Sequence, residues 1–206
     1  MTGAQDVAVG VDEVGRGCIA GPVVAAAVAL GGSFAGEGLR DSKQLTAPRR
    51  EMWAALIRSD AMGWAVSYVG PREIDRLDIR RATLLAMGRA VRRLERKLGA
   101  TARLRVLVDG SDRIPGLAAF QAAIIGGDGR SACIAAASIV AKTSRDAFMT
   151  RIATAHPEYG FERNKGYGTE QHVRALQRHG PSSWHRFSFS PVAQRDLFAA
   201  EESTSG

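Results

Sequence analysis

The stretch Val9-Gly10-Val11-Asp12-Glu13-Val14-Gly15-Arg16-Gly17 sets two adjacent carboxylates where an apolar run gives way to a glycine turn. Neighbouring carboxylates at a strand end repel each other and resist losing water, so a protein that keeps them near its core neutralises them with a cation. The pattern recurs along the chain. Residues 104–108 read as a buried strand closed by Asp109-Gly110, and Asp128 follows residues 120–125 and Gly126-Gly127. Asp12, Glu13, Asp109 and Asp128 can therefore meet at one end of a sheet. Oxygen ligands without Cys or His partners suit Mg²⁺ or Mn²⁺ rather than zinc. Taken singly, each acid reads better as a turn or cap residue, and it is the joint pattern that points to a site.

A chain of 206 residues, 45% hydrophobic and 24% charged, is expected to form one globular domain over residues 1–206, with disordered ends at 1–5 and 201–206. The apolar stretch 18–30 is too short to span a bilayer and is broken by Gly21-Pro22. With no basic segment followed by an apolar one at its start, the chain is expected to be cytoplasmic. Cys18 and Cys133 make neither a disulfide framework nor a zinc spacing and read as small core residues. The net charge of +7 beside an acidic site means that basic residues dominate the rest of the surface, which suits a polyanionic substrate. The run 89–97 reads instead as the solvated face of an amphipathic helix.

Strands are expected near residues 7–14, 23–30, 64–69 and 104–109, with a short fifth before Asp128. Helices are expected after Thr46, over most of 73–98, over 131–155 and near 169–179, with a helical C-terminal part from about 157 to 200. The order β-β-α-β-α-β-α-β-α indicates an α/β or α+β domain with a mixed sheet. Ala135, Ala136, Ala137 and Ser138 are small enough to let the long helix pack closely on that sheet.

Residues 15–20 formally match a relaxed dinucleotide fingerprint. Asp12 and Glu13 would then crowd a pyrophosphate, and Gly21-Pro22-Val23-Val24 favours a strand where a helix is required. In the other reading, bare glycine backbone approaches a sugar while Arg16 reaches its phosphate. Lys43, Lys142 and Lys165 are suited to holding phosphates or are plain surface charge; Lys142 follows Ser138 by one helical turn and shares its face. Tyr167, flanked by glycines, can stack on a sugar or base, or plug the core. His156, His172, His179 and His185 lack metal spacing. There is no nucleophile elbow and no phosphate loop ending in Gly-Lys-Ser/Thr.

The ordered series VGVDEVGRG, DSKQL, EIDRLDI, VLVDG, GGDGRSACIAAASIVAKTSRD, HPEYGF, NKGYGT and FSFSPV resembles the type 2 ribonucleases H, the bacterial ribonuclease HII group most of all, over nearly the whole chain. The resemblance implies a ribonuclease H-like fold with a five-stranded mixed sheet flanked by helices, plus a helical C-terminal part. It implies an endonuclease that cuts RNA in RNA/DNA hybrids and 5′ of single ribonucleotides in duplex DNA, leaving 3′-OH and 5′-phosphate ends.

By the same resemblance Asp12, Glu13, Asp109 and Asp128 are the catalytic carboxylates that bind two Mn²⁺ or Mg²⁺ ions. Gly15, Arg16 and Gly17 sense the ribose 2′-OH with Tyr167 as their partner, and Lys43, Lys142 and Lys165 lie near substrate phosphates. Two departures, Gln44 for a second Lys and Thr143-Ser144 for an apolar-Thr pair, are expected to weaken phosphate contact without touching the metal set. Gln194-Arg195-Asp196-Leu197-Phe198 resembles the peptide by which replication proteins grip the sliding clamp, although Leu197 and Phe198 can equally dock the last helix. The protein is expected to be monomeric. The alternatives are a metal-dependent nuclease of different substrate and a non-catalytic nucleic-acid-binding module; the four acids oppose the latter, since they weaken polyanion binding unless metals are present.

Overall fold

β1 (Gln5–Val14) is the middle strand of a five-stranded sheet of order β3-β2-β1-β4-β5 in a computed structural model that describes residues 5–32, 34, 39 and 45–194. It runs antiparallel to β2 (Val23–Ala29) and parallel to β4 (Ala102–Asp109), which in turn runs parallel to β5 (Phe120–Ile124). β3 (Gly63–Val69) forms the other edge. This is the mixed sheet expected from the sequence. β2, Val-Val-Ala-Ala-Ala-Val-Ala, is buried at every position, as an interior strand covered on both faces must be. β4 alternates instead, burying Leu104, Val106 and Val108.

The described residues fall into two compact units. The first takes Met1–Val14, Val24–Tyr68 and Thr83–Ser144. It holds the sheet together with α1 (Ala47–Asp60), most of α3 (Ile79–Leu98) and the first part of α4 (Ala132–Ala153). Its core joins Ala26 and Val28 of β2, Ala54 and Ile57 of α1, and Ala135, Ala136, Ile139 and Val140 of α4. Small residues are required where α4 meets β1: a Cβ on Gly10 would lie 2.0 Å from the main-chain carbonyl carbon of Cys133. Cys18 is buried and Cys133 half-buried, and both are free thiols.

The second unit takes Gly15–Val23, Val69–Ala82 and Arg145–Gly206. It contains α2 (Pro71–Leu77), the end of α4, a 3-10 turn at Pro157–Tyr159, α5 (Phe161–Asn164) and α6 (Glu170–His179). Its core is largely aromatic. Tyr159 stacks on Phe161 with ring centroids 5.3 Å apart, and Phe148 meets the edge of Trp184 at 5.2 Å. Asp75 of α2 accepts hydrogen bonds from the Phe187 and Ser188 amides and the Ser188 hydroxyl, fixing the segment after His185.

Two expectations need correction. The helix expected over 73–98 is broken at Asp78, whose φ of 73° lies outside helical space; its carboxylate accepts from the Arg81 amide and so caps α3. The alternating order also put a helix between the fourth and fifth strands, but residues 110–119 contain none. Pro115-Gly116 opposes one, and the Gln121 side chain holds both the N–H and the C=O of Ile114, so this connection is fixed by a side-chain amide. Of the ends expected to be disordered, Gln5 opens β1 and the rest lie outside the described residues.

Candidate active site

The parallel register pairs Val11 with Val108, so the next residues, Asp12 and Asp109, stand at the same ends of adjacent strands. Asp12 is 6% exposed, and its Oδ1 accepts from the Glu13 amide at 2.7 Å. Burial pushes its carboxyl well above the ordinary range, the charges of Glu13 and Asp109 push it further, and hydrogen bonds from Ser138 and the Glu13 amide only partly oppose them. Asp109 Oδ1 accepts from the Gly127 amide at 2.7 Å, which ties the β4 end to the 3-10 turn Gly127–Gly129. That turn carries Asp128, 4% exposed, whose Oδ1 accepts from the Gly129 amide at 3.0 Å.

The first unit thus brings Asp12, Glu13 and Asp109 into electrostatic contact and links Asp128 to them through one turn. Among the described residues no group of three or more His, Cys, Asp or Glu is close enough, as the side chains are placed, to hold a metal ion. One oxygen of each of the three aspartates is turned toward a main-chain amide. The chemistry of the set nevertheless fits a divalent cation. All the donors are hard oxygens, and Asp12 carries the signature of uncompensated negative charge that a cation relieves.

Lys142 lies on α4 one turn beyond Ser138, the residue that bonds Asp12, and is half-buried. Thr143 and Ser144, where the family pattern is departed from, have a different task. Their hydroxyls accept from Arg58 of α1 at 2.9 and 3.2 Å, while Thr143 donates to the Ile139 carbonyl. Lys43 and Gln44 lie outside the described residues.

The second unit holds the other expected substrate residues. Gly15 is buried with φ 91°, and Arg16 and Gly17 are exposed. The amides of Ile19 and Ala20 both donate to the Gly166 carbonyl, which joins this loop to the turn bearing Lys165 and Tyr167. Tyr167 is 43% exposed, with its hydroxyl pushed up by burial and bonded to Cys18. Lys165 Nζ donates to Thr150 Oγ1 at 2.6 Å.

Sequence reasoning missed Arg145 and Arg186. Both are fully buried, and between them they donate to six main-chain carbonyls: Pro22, Ala20 and Lys165 from Arg145, and Gly21, Arg16 and Gly15 from Arg186. Burial lowers the Arg186 pKa to about 10, leaving it charged at neutral pH. The available signal was weak: Arg186 sits between His185 and Phe187, and Arg145 lies in the small-residue helix, contexts where a solvated charge is out of place.

The Ribonuclease HII family model matches residues 9–192. A Ribonuclease HII of Erythrobacter litoralis (strain HTCC2594) is 53% identical over 199 residues, 95% of this chain and 92% of that protein. Among solved structures, the Archaeoglobus fulgidus RNase HII in a PCNA:RNase HII complex superposes with a TM-score of 0.74 at 25% identity, covering 89% of this chain and 95% of that one. Bst-RNase HIII in complex with Mn²⁺ superposes at 0.77 with 20% identity, covering 97% and 71%, and shares the ribonuclease H-like fold. The chain belongs to the ribonuclease HII family and is a ribonuclease H, a hydrolase that cleaves RNA in RNA/DNA hybrids.

Proposed function

We propose that this ribonuclease H is also an endonuclease that cuts on the 5′ side of single ribonucleotides embedded in duplex DNA, leaving 3′-OH and 5′-phosphate ends and so initiating ribonucleotide removal. The observation that carries the reading is the buried Asp12 carboxyl, raised by burial and by the charges of Glu13 and Asp109. A protein retains such a cluster where a cation uses it. Asp12, Glu13, Asp109 and Asp128 would hold two Mg²⁺ or Mn²⁺ ions, in line with the Mn²⁺ complex of Bst-RNase HIII. When bound, the ions supply an activated water and stabilise the departing 3′ oxygen during in-line displacement.

The chain's own residues do the rest. Asp12 is oriented by the Glu13 amide and by Ser138, and Asp109 by the Gly127 amide. Lys142, Lys165 and Lys43 hold substrate phosphates, a role that the net charge of +7 favours. Gly15, Arg16 and Gly17, with Tyr167, read the 2′-OH, the group that separates RNA from DNA at the cut. In this reading the enzyme acts in the cytoplasm as a monomer.

Gln194-Arg195-Asp196-Leu197-Phe198 is a candidate peptide for a sliding clamp, a reading supported by the PCNA complex of the archaeal relative. Only Gln194 of it lies within the described residues. Loss of clamp retention on deleting residues 194–198 is the expected result.

The decisive assay incubates an end-labelled DNA duplex containing one ribonucleotide, beside an all-DNA control, with Mg²⁺ or Mn²⁺ and with chelator. Metal-dependent cutting 5′ of the ribonucleotide alone is expected. Cutting of both duplexes would remove the 2′-OH reading, and cutting in chelator would remove the metal reading.

A further inference from the structure

The loop 15–22 is gripped from inside by two buried guanidinium groups. Arg186 donates from Nη2 to the Gly15 carbonyl at 2.7 Å, from Nη1 to Arg16 at 2.9 Å and from Nε to Gly21 at 3.0 Å. Arg145 donates from Nε to Pro22 at 3.0 Å, from Nη2 to Ala20 at 3.1 Å and from Nη1 to Lys165 at 2.7 Å. A buried charge is costly unless its hydrogen-bonding capacity is met, and here main-chain carbonyls meet it. Gly15 is shaped by the same contact: its φ is 91°, and a Cβ there would lie 2.2 Å from Arg145 Nε.

Peptide planarity converts this grip into an aim. In a trans peptide the carbonyl of one residue and the N–H of the next point in opposite directions. The Gly15 and Arg16 carbonyls face Arg186, so the N–H groups of Arg16 and Gly17 face away from it. Gly17 is exposed, and a Cβ there would meet nothing within 4 Å beyond its chain neighbours, so its backbone is approachable on that side. The bond from Arg145 to the Lys165 carbonyl extends the same brace to the turn of Tyr167.

We propose that Arg186 is a positioning residue that sets the direction of the Arg16 and Gly17 amides, with Arg145 bracing the far end of the same loop, and that this direction sets the preference for a ribonucleotide at the cut. The inference rests on the reading of Gly15, Arg16 and Gly17 as the 2′-OH sensor. An arginine fork is required for this task, because a lysine ammonium keeps the charge but cannot reach three divergent carbonyls with fixed geometry.

The test uses the full chain with Mg²⁺ and the substitutions Arg186→Lys and Arg145→Lys. Nitrogen-15 relaxation of the wild-type protein should give Arg16 and Gly17 amide order parameters near about 0.85 although both residues are exposed, and values below about 0.6 would overturn the proposal without any variant. In Arg186→Lys those order parameters should drop while those of α4 hold. The kcat on a duplex with one ribonucleotide should fall by about 100-fold, with KM little changed.

Should Arg186→Lys not fold, Arg145→Lys carries the same readouts at the other end of the loop. A rise in KM at wild-type kcat, or rigid Arg16 and Gly17 amides in a folded lysine variant, would overturn the positioning role. Loosened amides with undiminished ribonucleotide preference would overturn the sensor reading instead.

Discussion

His172 Nε2 lies 3.0 Å from His185 Nε2, and only one of the two nitrogens carries a proton. The Ser182 amide donates to His185 Nδ1, so the His185 proton sits on Nε2 and is donated to His172; the His172 proton then sits on Nδ1 and is donated to the Tyr167 carbonyl. Both rings are neutral in this chain of bonds, and a further proton would set two donors against each other. Burial, aided by its neighbour, lowers His185 to about 4, and burial lowers His172.

The unfolded chain therefore binds more protons than the folded one between pH 6.5 and about 4. With respect to this pair, stability should be constant above pH 6.5, fall as the pH drops through that window, and level off below it. Thermal melts of the metal-free protein across the range, compared with His185→Gln, test this. Equal slopes for the two proteins would show that the pair does not titrate as described.

Asp12 is expected to show a trade of stability for activity. Its carboxyl is raised by burial, by Glu13 and by Asp109, so its charge weighs against folding increasingly as the pH climbs above about 4. Asp12→Asn keeps an oxygen for the Glu13 amide and removes the charge. Turnover should be abolished and duplex binding retained, while the free energy of unfolding at pH 7 rises. Urea titration, cleavage and binding assays read the three effects. Mn²⁺ should raise the wild-type Tm more than that of the variant.

Gly10→Ala should damage the first unit from a position with no chemistry of its own. The added carbon would stand 2.0 Å from the Cys133 carbonyl carbon and 2.2 Å from the Ile134 nitrogen, both main-chain atoms that cannot rotate away. Overpacking of this kind costs about 1–3 kcal/mol. Denaturant midpoints should show that loss. Because α4 also carries Ser138, which bonds Asp12, kcat should fall more than KM changes.

Thr143→Ala should lower stability and leave substrate affinity alone. The hydroxyl accepts from Arg58 and donates to Ile139, inside the first unit. Losing these bonds costs about 1–2 kcal/mol. A KM for the hybrid that rises severalfold in this variant would show that Thr143 contributes to substrate contact, contrary to this assignment.

The strands and the acids at their ends were legible because an apolar run closed by Asp at residues 12 and 109 is both a folding signal and an electrostatic anomaly. The long small-residue helix was legible because Ala135, Ala136 and Ala137 leave little choice but close packing. The break at Asp78 was not, since a capping aspartate within a helical period looks like one more polar face residue until its φ is known. The link between β4 and β5 was hidden in a single long-reaching side chain, Gln121. Arg145 and Arg186 were hidden most deeply. Composition counts an arginine as surface charge, and only the fold reveals carbonyls converging on it.

β5 is an edge of the sheet, and Phe120 on it is 57% exposed, the kind of strand that recruits foreign chains into aggregates. Its protection is local. The strand is only 5 residues long, and the Arg105 guanidinium lies 5.3 Å from the Phe120 ring centroid while also pairing with Asp6 at 3.2 Å. A cation parked over the ring makes any incoming strand desolvate a charge before it can pair. That guard makes edge-to-edge pairing through β5 costly.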